Sequence, residues 1–437
     1  MSFISKILEK VVLYQLQSHL KINNLLDINQ SAYKHHHSTE TALLHVIEGL
    51  LVNADNRLLS VLALLDLSAA FDTIDHEILI QRLQISFGIE GRVLQWFISY
   101  LDNRSQTVLI DQVKSNSTGL KYGVPQGSVL GPILFTLYTM PLSDLIQTYD
   151  CDYHKFADDT QLSKSAHLEH FPLLVKNVED CIESITKWMV CNKLKLNPEK
   201  SEILPIGPQS KLSKLEIDTA NINGTDIHFT SCARDLGVHI DSNLSMKKHI
   251  SHICKVCYFE LRRISQMKQY LPSDCLVQLV SCFVLSRLDY CNSVLAGLPK
   301  SSLNKLQKVQ NSAARLILNK SKREHITPLL VKLHWLPVHL RIDYKLAVFG
   351  FKFFEGTLPK YLSDSLKKYE PLRTLRSAND NKLVVPVRYM KSFGERAFSS
   401  QVPRVWNKLP SVMKNCNSLV SFKKQLKTFL FKEAYNS

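Results

Sequence analysis

The 437-residue chain reads as an α+β protein, a body of alternating strand and helix patterns followed by a basic helical appendage. Three observations carry that reading. Val61 to Leu65 is an apolar run too short for a helix, as expected of a strand buried on both faces. Leu174 to Val190 repeats its apolar residues at helical spacing. From Lys247 to about Leu318 the spacing is mostly helical, and this stretch holds much of the positive charge.

The elements follow in order. Ser38, ahead of Thr39-Glu40-Thr41, predicts an N-cap and a helix running on through Leu43 and Leu44. The strand from Val61 runs directly into Asp66. A helix is expected from about Asp75, with Leu79 and Leu83 on one face, and another from Val93 to Leu101. Thr107–Ile110 and Gly119–Val124 read as a strand pair, Ser128–Tyr138 as a helix, and Tyr153–Leu162 as strand around Asp158-Asp159. A strand follows Lys200, and Asn223-Gly224 marks a hairpin turn. After His334 the pattern is mixed and basic, with little to assign.

Composition bounds the function. With 45% apolar and 21% charged residues, 14 Gly and 16 Pro, the chain is neither disordered nor low-complexity. Ten scattered Cys do not make a disulfide scaffold and point to a reducing compartment. The most apolar stretch, Val129–Leu142, contains Gly131, Pro132 and two Thr, and falls short of the roughly 20 residues a membrane span needs. Ile4, Ile7, Leu8, Val11 and Leu16 recur at helical spacing, unlike a signal peptide. The lack of Arg there, and Glu9, argue against a transit peptide. A soluble intracellular protein is expected. The net charge of +15 is divided unequally, −7 over residues 1–240 and +22 over 241–437, so a polyanionic partner is expected for the second part.

Two acidic positions stand out. Asp66 ends a buried run, and Asp158-Asp159 sit between Phe156-Ala157 and Thr160-Gln161-Leu162. Carboxylates on the ends of buried strands are costly, and two of them about 4 Å apart repel by about 4 kcal/mol at an effective dielectric of 20. Divalent cations relieve that repulsion, and Mg²⁺ favours such hard oxygen ligands. A bare Asp-Asp can equally be a polar turn, and Asp66 a helix cap.

The surroundings decide between these. Leu65-Asp66-Leu67-Ser68-Ala69-Ala70-Phe71-Asp72, Gly123-Val124-Pro125-Gln126-Gly127-Ser128 and Phe156-Ala157-Asp158-Asp159 resemble, in this order, motifs A, B and C of the reverse transcriptases of non-LTR (LINE-type) retrotransposons. Asn192–Asn197 with Lys200-Ser201 is similar to motif D, and Leu236-Gly237-Val238 to the primer-grip region. Gln30–Lys34 through Ser38–Thr41 resembles the fingers segment before motif A. His252–Lys255 through Leu261–Ile264 is similar to the thumb helix of jockey-like elements, and Leu333–Val338 and Ala397–Asn407 to their C-terminal region.

The resemblance implies a right-hand polymerase, with partial fingers at 1–57, a palm with the remaining fingers elements at 58–242, a helical thumb at 243–325 and a basic C-terminal region at 326–437. It implies RNA-directed DNA synthesis by two-metal nucleotidyl transfer from dNTPs to a primer 3′-hydroxyl, on an RNA template with a DNA primer or target. Asp66 and Asp158 would hold two Mg²⁺ ions (or Mn²⁺), supported by Asp159. Phe71 matches a steric gate against a ribose 2′-hydroxyl. Gly123, Gln126 and Gly127 match the turn that meets nucleotide and template, and Lys200 a general acid toward pyrophosphate. Lys34 is a weaker match to a triphosphate contact. Lys247, Lys248, Arg262 and Arg263 would touch the nucleic-acid backbone. A nuclear or cytoplasmic ribonucleoprotein is implied.

Other patterns carry less. His249, His252, Cys254 and Cys257 cannot all converge on one tetrahedral ion from a single helix, and His35-His36-His37 reads as a polar loop. Nothing in the chain resembles the family's endonuclease domain, and Met1–Lys6 resembles the middle of the fingers, without the Arg-Pro-containing strand that precedes it in the family. A truncated copy is therefore expected. The alternative function is an inactive remnant that binds nucleic acid through its basic half.

Overall fold

The computed structural model describes residues 3–68, 71–125, 127–370 and 381–435. The chain divides into two compact units. The first comprises residues 1–37, 61–203 and 215–229, and the second residues 38–60, 204–214 and 230–437.

The first unit opens with α1 (Phe3–Ile22). Its Glu9 is buried, and Glu9 Oε2 accepts the backbone N–H groups of Val129 (2.7 Å) and Leu130 (3.1 Å). A carboxylate here satisfies donors that a helix start leaves unpaired. The four-stranded sheet contains β1 (Leu59–Leu65), β2 (Asp152–Phe156), β3 (Asp159–Ala166) and β4 (Glu202–Ile206) in the order β4-β1-β3-β2. The chain passes between units within β1 and again within β4. Six of the seven β1 residues are buried, which explains its unbroken apolar run.

The helices α3 (His76–Ile85) and α4 (Gly91–Leu101) form as their periodicity predicts, with Asp75 Oδ1 capping α3 through the N–H groups of Glu77 and Ile78. α5 (Gly131–Tyr138) begins three residues later than expected, with Pro132 in the first turn where its missing N–H costs nothing. α6 (Phe171–Cys191) packs one face against β3 and against the hairpin of β5 (Thr219–Ile222) and β6 (Thr225–His228), which turns at Asn223-Gly224.

One sequence expectation is corrected. Instead of a strand pair at Thr107–Ile110 and Gly119–Val124, one hairpin rises and returns. Ser105-Gln106 pairs with Thr118-Gly119, Leu109-Ile110 with Val113-Lys114, and Asp111 and Gln112 make the tip in left-handed conformations. Every residue of its four short strands is exposed, so no buried face fixes the register in the sequence pattern.

The second unit includes α2 (Thr39–Asp55), whose cap is a reciprocal Ser38–Thr41 box. α2 is bound to the C-terminal segments by its acidic residues. Glu40 pairs with Lys345 at 2.8 Å, Glu48 Oε2 accepts the Ser399 N–H at 3.3 Å, and Asp55 Oδ1 accepts the Met390 N–H at 2.7 Å. The hairpin of β7 (Cys232–Asp235) and β8 (Val238–Asp241) leads into α7 (Lys247–Met267). α7 packs against α8 (Ser273–Val280) and along α9 (Lys300–Leu318).

The region after His334, left unassigned by the sequence pattern, is mostly helical: α10 (Val338–Phe354), α11 (Phe398–Asn407) and α12 (Leu419–Tyr435). α10 packs against both others, so its apolar residues face two ways and blur the helical period. Trp406 is fully buried at their centre, stacked on Phe354 at 5.2 Å, with Phe351 stacked on Phe422 at 4.5 Å. Among the described residues no helix is long and apolar enough to cross a membrane.

Candidate active site

Three carboxylates from two separated segments come within electrostatic reach of one another in the first unit. Asp66 follows the end of β1, and its carbonyl accepts the Asn197 N–H at 2.9 Å. Leu67-Ser68 pairs antiparallel with Lys195-Leu196, so the Asn192–Lys200 segment lies alongside Asp66. Lys200 Nζ consequently stands 3.4 Å from Asp66 Oδ2, joining two residues that the sequence singled out. Asp158 lies in the two-residue turn between β2 and β3, and Asp159 opens β3, paired with Phe156. Burial pushes the Asp159 carboxyl up to about 6, and repulsion from Asp158 and Asp66 adds to it.

The turn is held from outside. Residues 29–31 run parallel to β2, with the Lys155 N–H donating to Asn29 (2.8 Å) and the Ser31 N–H donating to Lys155 (2.9 Å). Gln30, fully buried, reaches Ala157: its Oε1 accepts the Ala157 N–H at 3.2 Å and its Nε2 donates to the Ala157 carbonyl at 3.4 Å. Tyr33 lies within electrostatic reach of Asp158, and burial together with that charge lifts its phenol above the ordinary range. Neither residue is marked by its own sequence neighbourhood. Only the likeness of the whole Gln30–Lys34 segment pointed there. Lys34 donates to the Asp27 carbonyl, and burial lowers its ammonium to about 8.

Phe71 and the glycine turn are neighbours. The Val124 N–H donates to the Phe71 carbonyl at 3.0 Å, and the Phe71 ring lies 4.7 Å from that of Phe135. Gly123 has φ +85°, and a Cβ there would come within 2.9 Å of the Asp72 carbonyl oxygen, so only glycine fits. Gly127 has φ +78° with open space around it, and needs glycine for conformation alone. Gln126 lies outside the described residues. His76, absent from the sequence expectations, hydrogen-bonds the Gly123 carbonyl through Nε2 at 2.8 Å.

The donor chemistry at Asp66, Asp158 and Asp159 fits a divalent metal. Asp66 Oδ2 is cut off from water and accepts no hydrogen bond, while Asp159 is raised by burial and then by its acidic neighbours. The Lys200 ammonium supplies Asp66 with a positive counter-charge. Among the described residues no three acidic, imidazole or thiol side chains already converge in a metal-holding arrangement.

The second unit holds the four cations expected to meet a nucleic-acid backbone. Lys247 and Lys248 are exposed in the first turn of α7, and Lys248 donates to Ser231 Oγ at 3.3 Å. Arg262 and Arg263 diverge. Arg262 lines a groove of about 780 Å³ between α7 and α9, with Lys268, Lys308, Arg315, Lys320 and Lys322, and no acidic residue among its walls. Arg263 instead pairs with Glu260 at 3.5 Å and lies over the Phe259 ring. In the β7–β8 turn, Leu236 and Gly237 are both left-handed, and the Tyr290 hydroxyl donates to the Leu236 carbonyl at 2.7 Å.

Comparison with known proteins supplies the context for this constellation. The chain is 24% identical over 323 residues to the RNA-directed DNA polymerase from mobile element jockey of Drosophila melanogaster, covering 72% of this chain and 34% of that relative. It is 26% identical over 332 residues to a probable RNA-directed DNA polymerase from transposon BS of the same organism, covering 72% and 35%. The chain thus spans about a third of the length of these relatives. Among solved structures, apo telomerase from Candida tropicalis aligns over 82% of this chain and 59% of its own, at 14% identity and a TM-score of 0.44. The family model for reverse transcriptase (RNA-dependent DNA polymerase) matches residues 1–233, which take in all three carboxylates and the glycine turn. With more than half its length under that match, the chain belongs to the reverse transcriptase family.

Proposed function

We propose that this chain is the polymerase portion of a non-LTR retrotransposon protein and extends a DNA primer on an RNA template. The observation that carries the reading is that Asp66, just past the end of β1, and Asp158-Asp159, at the start of the neighbouring strand β3, lie within electrostatic reach of one another at one half-buried place. Two Mg²⁺ ions, or Mn²⁺, held by Asp66 and Asp158 would supply Lewis acidity toward the primer hydroxyl and the triphosphate. Asp159 adds negative charge that holds cations in the site.

The remaining roles belong to the chain's own residues. Phe71, braced on Phe135, closes the space where a ribose 2′-hydroxyl would stand and so favours dNTPs. Gly123 and Gly127 shape the turn that approaches nucleotide and template, and Gln126, between them in the sequence, is the side chain that would contact these ligands. Lys200 carries a proton at Nζ, available to the pyrophosphate leaving group, and its pairing with Asp66 keeps it at hand. Lys247, Lys248, Arg262 and Arg263 neutralise backbone phosphates. The setting is a ribonucleoprotein in the nucleus or cytoplasm.

The test is primer extension on poly(rA)/oligo(dT) with Mg²⁺, comparing wild type with Asp158→Ala. Extension by wild type and none by the variant is expected. A folded wild type that binds the duplex but adds no dNTP would overturn the reading in favour of a binding remnant.

A further inference from the structure

We propose that Gln30 is a positioning residue for the Asp158-Asp159 turn, holding Ala157 in the left-handed conformation that aims the two carboxylates at Asp66. The inference rests on the metal-binding reading of these carboxylates.

Ala157 sits at φ +58°, where a side chain crowds the backbone and L-residues are disfavoured. Something must repay that strain, and the turn itself has only two residues between the paired Phe156 and Asp159. Gln30 is the external clamp. Its amide meets both polar groups of Ala157, and Oε1 also accepts the Ala32 N–H at 2.9 Å, which fixes the amide's orientation. An amide suits this place because it both accepts and donates, where a carboxylate would face a carbonyl without a proton.

The clamp is itself anchored. Asp27 forms an ion pair with the buried Lys155 at 2.9 Å and accepts from Ser143 (2.7 Å) and Tyr153 (3.1 Å). Ser31 Oγ is 2.8 Å from His154 Nε2. The segment carrying Gln30 is therefore bound to β2 on both sides of the glutamine, which keeps Gln30 beside Ala157. Residues that orient metal ligands without touching the metal are commonly worth 10–100-fold in affinity or activity.

The test uses Gln30→Met, which keeps the volume and removes both hydrogen-bonding ends, alone and combined with Ala157→Gly. Two readouts are needed. Amide hydrogen exchange by mass spectrometry, in EDTA, reports the turn without metal. Mn²⁺ binding by electron paramagnetic resonance reports the carboxylates, with Asp158→Ala as the baseline.

The proposal expects Q30M to exchange at least about tenfold faster in peptides spanning residues 153–162, with α6 unchanged, and to bind Mn²⁺ about tenfold more weakly. Adding A157G, which makes the left-handed turn easy, should recover most of that Mn²⁺ affinity. Unchanged exchange and binding in Q30M overturns the proposal, as does an equal loss of binding in both backgrounds. If Q30M folds only together with A157G, the proposal stands; if it folds in neither, Gln30 acts by packing and the proposal falls. Wild-type Mn²⁺ binding no stronger than that of D158A would reject the metal reading separately, with the exchange result still deciding the role of Gln30 in the turn.

Discussion

Asp159 shows how a single side chain can be costly to the fold and useful to the site. Its carboxyl is pushed up to about 6 by burial and by two acidic neighbours, so its ionised form is held against an opposing field. His249 is the mirror case in the second unit. Burial brings its imidazole down to about 4, with His239 and His252 adding repulsion, and its Nδ1 accepts the His239 N–H at 3.4 Å. The folded-state value lies below the unfolded one of about 6.5, so the unfolded chain takes up the proton first. Stability from this group is complete above about pH 6.5 and is lost as pH falls toward about 4, a cost of about 2 kcal/mol at pH 5. His249→Asn, whose amide oxygen can take the place of Nδ1, should remove that part of the acid sensitivity. Urea unfolding of both proteins at pH 7 and pH 5 measures it, and an equal pH loss in the two would refute the assignment.

At the scale of elements, the glycine turn separates two reasons for using glycine. Gly123 lacks room as well as a permitted conformation, because a Cβ meets the Asp72 backbone at 2.9 Å. Gly127 has room and lacks only the conformation. Gly123→Ala should therefore destabilise by about 2–4 kcal/mol and Gly127→Ala by about 1 kcal/mol. Denaturant unfolding of the two variants distinguishes these values, and equal costs would contradict the packing described for Gly123. The same scale shows what the sequence made legible. The β1 run, the Ser38 cap and the Asn223-Gly224 hairpin are local signals, each contained within a few residues, and the structure has them; the Tyr153–Leu162 strand is instead two strands that turn at Ala157-Asp158. The hairpin at 105–119 departs from the expected strand pair because its strands bury nothing and leave no alternation to follow. Gln30 and Tyr33 were legible only as part of a resembling segment, since their partners stand more than 120 residues away. The contacts from α2 to the C-terminal helices span still greater separations and have no local signature.

At the scale of the whole molecule, the charge division is the main sequence-level fact, with +22 in residues 241–437. The structure gives part of that charge a location, in the groove between α7 and α9. A cation free to meet phosphate contributes about one unit to the salt dependence of binding, whereas one already paired contributes less. Arg262→Ala should thus lower the slope of log K against log[salt] by about 1, and Arg263→Ala, paired with Glu260, by clearly less. Fluorescence anisotropy with a labelled RNA–DNA duplex at several salt concentrations reads both slopes. Equal reductions would mean that the groove is not the binding face.

The central claim, that Asp66, Asp158 and Asp159 form one site whose mutual repulsion a divalent cation relieves, is tested most directly by thermal unfolding in EDTA and in excess Mg²⁺. Wild type should gain about 3 °C or more in Mg²⁺, and Asp158→Asn and Asp159→Asn should gain much less while melting no lower than wild type in EDTA. The same Mg²⁺ gain in all three proteins, or none in wild type, would contradict the account.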